Sequence, residues 1–312
     1  MSDSFRVGVV GVGYLGRFHA LIWSRLVGVE LVGLVDTFTE AAEKVAAETG
    51  SRVFPDSAAL IDAGVDAVSI VVPTSLHHEV ALPFLNAGVH MLLEKPIADS
   101  HAHARAIVEA ARKSGVVLQI GHLERFNAGV MALAQRIEQP RFIEAHRMGA
   151  FVDRATDVDV VSDLMIHDID IILSLVDSEI QHISAAGTPV LTEHIDIANA
   201  RLEFSNGAVA NVIASRVSEN RLRRIRVFEP NRYQSLDFIE QTLDIAWPEP
   251  RAGQKWPEIV SQRVEIAPVK PLDAEIAAFH ACCRRGERPL VSGEDGLAAL
   301  DVALQVKQKI MP

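Results

Sequence analysis

The sequence predicts an α/β protein of two domains: an N-terminal doubly wound parallel sheet, then a C-terminal α+β domain on a largely antiparallel sheet. Three observations predict it. The chain has 312 residues, more than one hydrophobic core ordinarily supports. Up to Ile120, short and nearly continuous apolar strands alternate with helical segments, which specifies a parallel sheet covered on both faces. Beyond Gly121 the texture changes to helices and then to strands that alternate apolar with polar, the mark of a sheet with one covered face. The expected division is residues 1–121 and 122–312.

Taken in order, the first-domain strands are "FRVGVV", "ELVGLVD", a short "RVF", "AVSIVV", "HMLLE" and "VVLQI". Helical periodicity fills "TEAAEKVAAETG" and "SHAHARAIVEAARKSG", closed by Gly50 and Gly115 as C-terminal caps. In the second part, "SDLMIHDIDIILSL" (Ser162 to Leu175) is a buried helix. "IDIANARLEF", "GAVANVIASR" and "RRIRVFEP" are strands, with a turn at Ser205-Asn206-Gly207. "WPEPRAGQKWPE" is a loop, and two helices, about Leu272 to Arg285 and Gly293 to Ile310, finish the chain.

The first strand runs into "GVGYLGRFHA", which sets Gly11, Gly13 and Gly16 in a G-x-G-x-x-G pattern at the mouth of the first helix, with Tyr14 and Leu15 in the same loop. Glycines there let the backbone approach a pyrophosphate held at the helix N-terminus. The second strand ends in Asp36, twenty residues beyond Gly16, where a carboxylate accepts hydrogen bonds from an adenosine ribose. Thr37 and Phe38 follow, with no basic residue to neutralise a 2'-phosphate, so the expected cofactor is NAD rather than NADP.

Composition narrows the partners. A formal net charge of -11 argues against a general nucleic-acid binder. No apolar run is long enough for a bilayer, and the N-terminus has no signal-peptide pattern, so a cytoplasmic protein without membrane partners is expected. The adjacent Cys282 and Cys283 suit neither a disulfide framework nor a zinc site and read as semi-buried helix thiols.

Open α/β sheets bind ligands beyond the carboxyl ends of their strands. Two such ends carry Pro73, Thr74 and His77, and Glu94, Lys95 and Pro96. All but the last are candidate cofactor contacts, and Lys95 is a candidate for the nicotinamide crevice. In the apolar helix, Asp163, His167 and Asp170 fall at i, i+4 and i+7, one helical face. That stripe is either an active-site face or a buried hydrogen-bonded network. A metal is not needed for hydride transfer, and none is expected. "SRVSENRLRRIRVF" gathers Arg221, Arg223 and Arg224 among its five arginines; they suit phosphate oxygens equally as well as a solvated sheet face.

"GVGYLGRFHA", "PTSLHHEVALPFLNAGVHMLLEKPIA" and "SDLMIHDID", in that order, resemble the signatures of the Gfo/Idh/MocA oxidoreductase family over nearly the whole chain. The resemblance implies a Rossmann domain, a second domain with an open sheet often used for oligomerisation (a homodimer or homotetramer), and pyridine-nucleotide oxidoreduction of sugars or cyclitols. It also implies that Lys95, Asp163 and His167 are catalytic, with Asp163 and His167 bordering the substrate. An imidazole titrating near neutral pH suits removal of a hydroxyl proton, and a lysine suits stabilising the oxygen's developing charge; which of the two takes the proton stays open. Asp170 is expected to be structural. "DVVSDLMIH" lacks glycines common in the family, which implies a differently shaped pocket. "GHLERFN", "SDLMIHDIDIIL" and "ASRVSENRLRRIRVF" resemble most the branch that oxidises the 3-hydroxyl of UDP-N-acetylglucosamine and related uronic acids, with Arg125 and Asn127 on the substrate side. The alternatives are a dehydrogenase of a free sugar or inositol, and a non-catalytic NAD-binding sensor.

Overall fold

The structure is a computed structural model and describes residues 4–152 and 158–311. The chain forms two compact units: Met1–Leu123 with Lys270–Leu300, and Glu124–Val269 with Asp301–Pro312.

The first unit is built on β1 (Phe5–Val10), β2 (Val29–Val35), β3 (Arg52–Val53), β4 (Ala67–Ile70), β5 (His90–Glu94) and β6 (Leu118–Gly121). They form one parallel sheet in the order β3-β2-β1-β4-β5-β6, the doubly wound arrangement whose switch point lies between β1 and β4. The intervening helices are α1 (Tyr14–Arg25), α2 (Thr39–Thr49), α3 (Ser57–Asp62), α4 (His77–Asn86) and α5 (His101–Ser114). Gly50 and Gly115 close α2 and α5 in the left-handed conformation, as their positions in the sequence suggest.

Residues 270–300 return to this unit for a packing reason. Helix α8 (Pro271–Arg285) puts Ile276 and Phe279 into the same buried cluster as Val7, Val9, Trp23, Leu34 and Leu92. The Trp23 and Phe279 rings meet edge to face, their centroids 6.1 Å apart, and Trp23 Nε1 donates to Ser69 Oγ at 2.8 Å. Cys282 and Cys283 are free, half-buried thiols on α8, and burial raises the pKa of both.

In the second unit α6 (Ala128–Ala134) and β7 (Phe142–Met148) precede the helix α7 (Ile166–Leu175), and strands β8 (Ile180–Thr188), β9 (Ile197–Phe204), β10 (Val209–Ser215), β11 (Leu222–Glu229), β12 (Arg232–Asp237), β13 (Thr242–Glu249) and β14 (Glu258–Val264) follow. The eight strands lie in the order β14-β13-β12-β11-β7-β10-β9-β8, all antiparallel except for the pair β7 and β10. β7 and β14 go beyond the strands read from sequence. β7 sends Ile143, Ala145 and Arg147 inward, so a charge interrupts its apolar alternation, and β14 is an almost fully exposed edge strand without an apolar face. The inward residues of the sheet, among them Val212, Ile225 and Leu236, are buried, as are Ile166, Ile169 and Ile172 of α7, which packs against β7 and β10. On the opposite face Phe142, Phe228 and Tyr233 make a row of touching rings. Among the described residues no helix is long and apolar enough to cross a membrane.

One buried group of the first unit makes its stability pH-dependent. Glu275 on α8 is fully buried, and neither carboxyl oxygen has a hydrogen-bond partner. Burial, and then the negative charge of Glu94, raise its pKa well above the ordinary glutamate value. The folded state therefore holds a proton that the unfolded chain releases near pH 4.5, so stability falls as pH rises from there toward the folded pKa. Glu275→Gln should raise the thermal midpoint at pH 8, with the gain shrinking toward pH 4.5; a gain equal at both pH values would remove Glu275 as its source.

Candidate functional site

At the dinucleotide end, close packing dictates the glycines. Gly11 has φ +85°, and a Cβ there would stand 2.3 Å from the Val71 carbonyl oxygen. A Cβ on Gly16 would stand 1.9 Å from the Gly11 carbonyl oxygen, which brings α1 down onto the β1 turn. Gly13 is the N-cap of α1, contributes no side-chain cap and faces open space. The first amides of α1 are therefore left for an anion. Leu15 is half-buried and Tyr14 exposed at this mouth. Asp36, one residue past β2, accepts from the Val12 amide at 2.6 Å and from the Phe38 amide at 2.8 Å. A carboxylate has about four acceptor sites, so two bonds fix its orientation and leave capacity for ribose hydroxyls. The cradle and the fixed carboxylate fit a dinucleotide.

The next two strand ends are tied together. His77, 1 % exposed, has Nδ1 2.9 Å from the Pro96 carbonyl oxygen and Nε2 3.0 Å from that of Val72. Burial lowers its pKa against the pull of these carbonyls. His77 was expected at the cofactor; its ring staples the loop after β4 to the loop after β5. Pro73 and Thr74 lie on the first of these loops, Pro73 exposed and Thr74 half-buried. Glu94, also expected at the cofactor, directs its carboxylate to the buried His19, at 3.2 Å. Lys95 is half-buried just past the end of β5.

In the second unit the polar stripe does not lie on a uniform α-helix. Val161–Met165 form a π-helical turn that runs into α7, so Asp163 and His167 are not related by regular α-helical spacing. Asp163 lines a cavity of about 170 Å³ with Arg147, Ser215, Arg216, Arg221 and Arg223. His167 is half-buried and does not line it. Asp170 is buried and pairs with Arg125 at 3.3 Å. Arg125 is thereby engaged inside the protein. Asn127, buried as well, caps α6 by accepting from the Gly129 amide at 2.9 Å. Both were expected on the substrate side, and both make bonds that hold the fold.

Strand alternation divides the arginines. Arg223 faces the cavity, together with Arg221 just ahead of β11. Arg224, expected beside the substrate with them, does not line this cavity and pairs with Asp237 at 2.7 Å, and Arg226 pairs with Glu144. Burial, then the like charges of Arg147 and Arg221, pull the Arg223 pKa below the ordinary guanidinium value. Arg147 and Arg216 have acid partners. Arg147 forms a fork with Asp168, both bonds at 2.9 Å, and reaches Glu124 at 2.9 Å. Burial opposes its charge, but these carboxylates outweigh it and raise its pKa. Arg216 lies 3.7 Å from Asp196, whose carboxylate is gripped by the amides of Val190, Leu191 and Thr192. Burial works against the Asp196 charge, and those bonds still depress its pKa strongly. Sequence reasoning missed Arg147, because its partners are 21 and 23 residues away and nothing local marks the pairing. Among the described residues no group of three or more His, Cys, Asp or Glu side chains is arranged to hold a metal.

A glycine cradle at the switch point and a carboxylate fixed at the end of the second strand fit an NAD-binding oxidoreductase. Residues 5–122 match the oxidoreductase family with an NAD-binding Rossmann fold, and residues 130–229 match the GFO/IDH/MocA C-terminal domain. The chain belongs to the Gfo/Idh/MocA oxidoreductase family. It is 40% identical to UDP-N-acetylglucosamine 3-dehydrogenase of Acidithiobacillus ferrooxidans, over 97% of this chain and 96% of that protein. A solved structure of that enzyme superposes with a TM-score of 0.92, covering 98% of this chain and 97% of the other. Scyllo-inositol 2-dehydrogenase (NAD(+)) of Bacillus subtilis is 31% identical over 70% of this chain and 69% of its own. Asp36→Ala should weaken NAD binding about tenfold or more, the loss of a charge-assisted bond, and shift the NAD to NADP preference toward NADP. Titration of both nucleotides by intrinsic fluorescence measures this, and an unaltered ratio would mean that the ribose is read elsewhere.

Proposed function

We propose that this dehydrogenase oxidises the 3-hydroxyl of UDP-N-acetylglucosamine, or of a closely related UDP sugar, to a ketone with NAD. The observation that carries the reading is the charge balance of the Asp163 cavity. Arg147 and Arg216 are paired with acids behind it, whereas among the described residues Arg221 and Arg223 have no carboxylate at ion-pair distance. Two such guanidinium groups match a diphosphate. The 40% identity to a UDP-N-acetylglucosamine 3-dehydrogenase supports the same substrate. A free sugar or inositol offers no anion to these arginines.

In this reading the first unit binds NAD and the second holds the sugar nucleotide. Nicotinamide supplies the hydride acceptor. Lys95 of the first unit and Asp163 and His167 of the second are the proposed catalytic residues: Lys95 or His167 removes the hydroxyl proton, and Asp163 holds the sugar. The row of Phe142, Phe228 and Tyr233 on the outer sheet face supplies an apolar surface for self-association into a dimer or tetramer. A nucleotide-sugar substrate supports a cytoplasmic location.

The test is absorbance of reduced nicotinamide with UDP-N-acetylglucosamine, its uronic acid, free N-acetylglucosamine and myo-inositol. Reduction confined to the UDP sugars is expected. Turnover of a free polyol would overturn the substrate, and no turnover with any alcohol would favour a sensor. Arg221→Ala with Arg223→Ala should raise KM for the nucleotide sugar about tenfold or more, since each charge-assisted bond contributes roughly 1.5–3 kcal/mol, without changing NAD affinity. Lys95→Ala should lower kcat about 10²- to 10⁴-fold, the usual worth of general acid–base help; unchanged turnover would remove Lys95 from the mechanism.

A further inference from the structure

The π turn Val161–Met165 separates the reference frames of Asp163, inside it, and His167, in the first turn of α7. A turn of this kind holds one residue more than an α turn, and the surplus can sit at neighbouring positions along a helix. Each position rotates the downstream side chains relative to those upstream. The relation between Asp163 and His167 therefore depends on where the surplus is held.

Two carboxylates bracket it. On the N-terminal side Asp159 accepts from the amides of Val161 and Ser162, at 3.0 and 2.9 Å. Its other oxygen lies 2.8 Å from Lys307 Nζ, near the end of α9 (Gly293–Ile310), and Lys307 also reaches Ser162 Oγ at 3.4 Å. On the C-terminal side Asp168 is held by the two-bond fork from Arg147 on β7. The two cations come from different elements, β7 and α9. Arg147 is buried and bonded to Glu124 as well; Lys307 lies more than a hundred residues from the turn in sequence, on no motif.

We propose that Lys307 and Arg147 are positioning residues that clamp the π turn from both sides and so set the angle between Asp163 and His167 on which turnover depends. The inference rests on the reading above that these two side chains serve the reacting sugar. A displacement of about 1 Å at a reacting group costs on the order of 10²-fold in rate. Lys307→Met should lower kcat about 10- to 100-fold while KM for the UDP sugar and Kd for NAD stay within about twofold. Lys307→Arg, which keeps a cation in reach of Asp159, should restore kcat. Arg147→Lys, which keeps the charge but loses the fork, should not.

A merely structural role would lower the melting temperature of Lys307→Met and leave the kcat of the folded enzyme intact. That result, or equal kcat for Lys307→Met and Lys307→Arg, would overturn the clamp, and Lys307 decides the matter even if Arg147→Lys fails to fold. Asp163→Asn, measured alongside, separates the two levels. If it cripples turnover while Lys307→Met does not, the site stands and the clamp falls. If it is harmless in an enzyme that turns over, the assignment of Asp163 falls and takes the clamp with it.

Discussion

Arg147 occupies a position in β7 from which the pleat sends side chains into the core, and a guanidinium cannot remain there without acids. Much of the second unit follows from that requirement. Asp168 must be turned inward at the start of α7, and Glu124 must sit where the third nitrogen can reach it. The ring of Phe238 lies 5.4 Å from the guanidinium carbon and covers the cation. Taking the arginine away would strand two carboxylates, a loss of roughly 3–5 kcal/mol for a broken buried pair. The orientation of α7, and with it the direction of His167, is thus bound to one side chain on a central strand.

The same electrostatics sort the cations around the cavity. A guanidinium already committed to a carboxylate is part of the scaffold, and one without such a partner is available to an incoming anion. Arg147 and Arg216 fall in the first group, whereas among the described residues Arg221 and Arg223 have no carboxylate at ion-pair distance, although all four border one small space. Position in the sheet creates the distinction, because alternate residues of β11 face opposite ways and Arg224 is thereby sent to Asp237.

What was legible in the sequence was what local physics dictates. The first sheet showed itself because buried parallel strands are apolar on both faces, and the glycine cradle because its spacing expresses close backbone contacts. The left-handed caps at Gly50 and Gly115 needed only their own neighbourhood. The rest depended on distant partners. β7 escaped because Arg147 stands where an apolar residue was expected, and the π turn because no residue type marks it. Arg125 and Asn127 carry polar groups whose bonds to Asp170 and to the Gly129 amide no local pattern announces.

The packing of α8 against β1 and α1 has a consequence for how the molecule is made. The chain passes from the first unit to the second and back before it ends in the second, so the parallel sheet is not finished by the residues that compose its strands. All six strands have been synthesised by Gly121, but Trp23 lacks Phe279 until roughly half the chain again has been added. Through that interval Trp23 and its neighbours on α1 lack the part of their cover that Ile276 and Phe279 supply. The nucleotide-binding unit therefore reaches its final packing only after the strands of the second unit have been made.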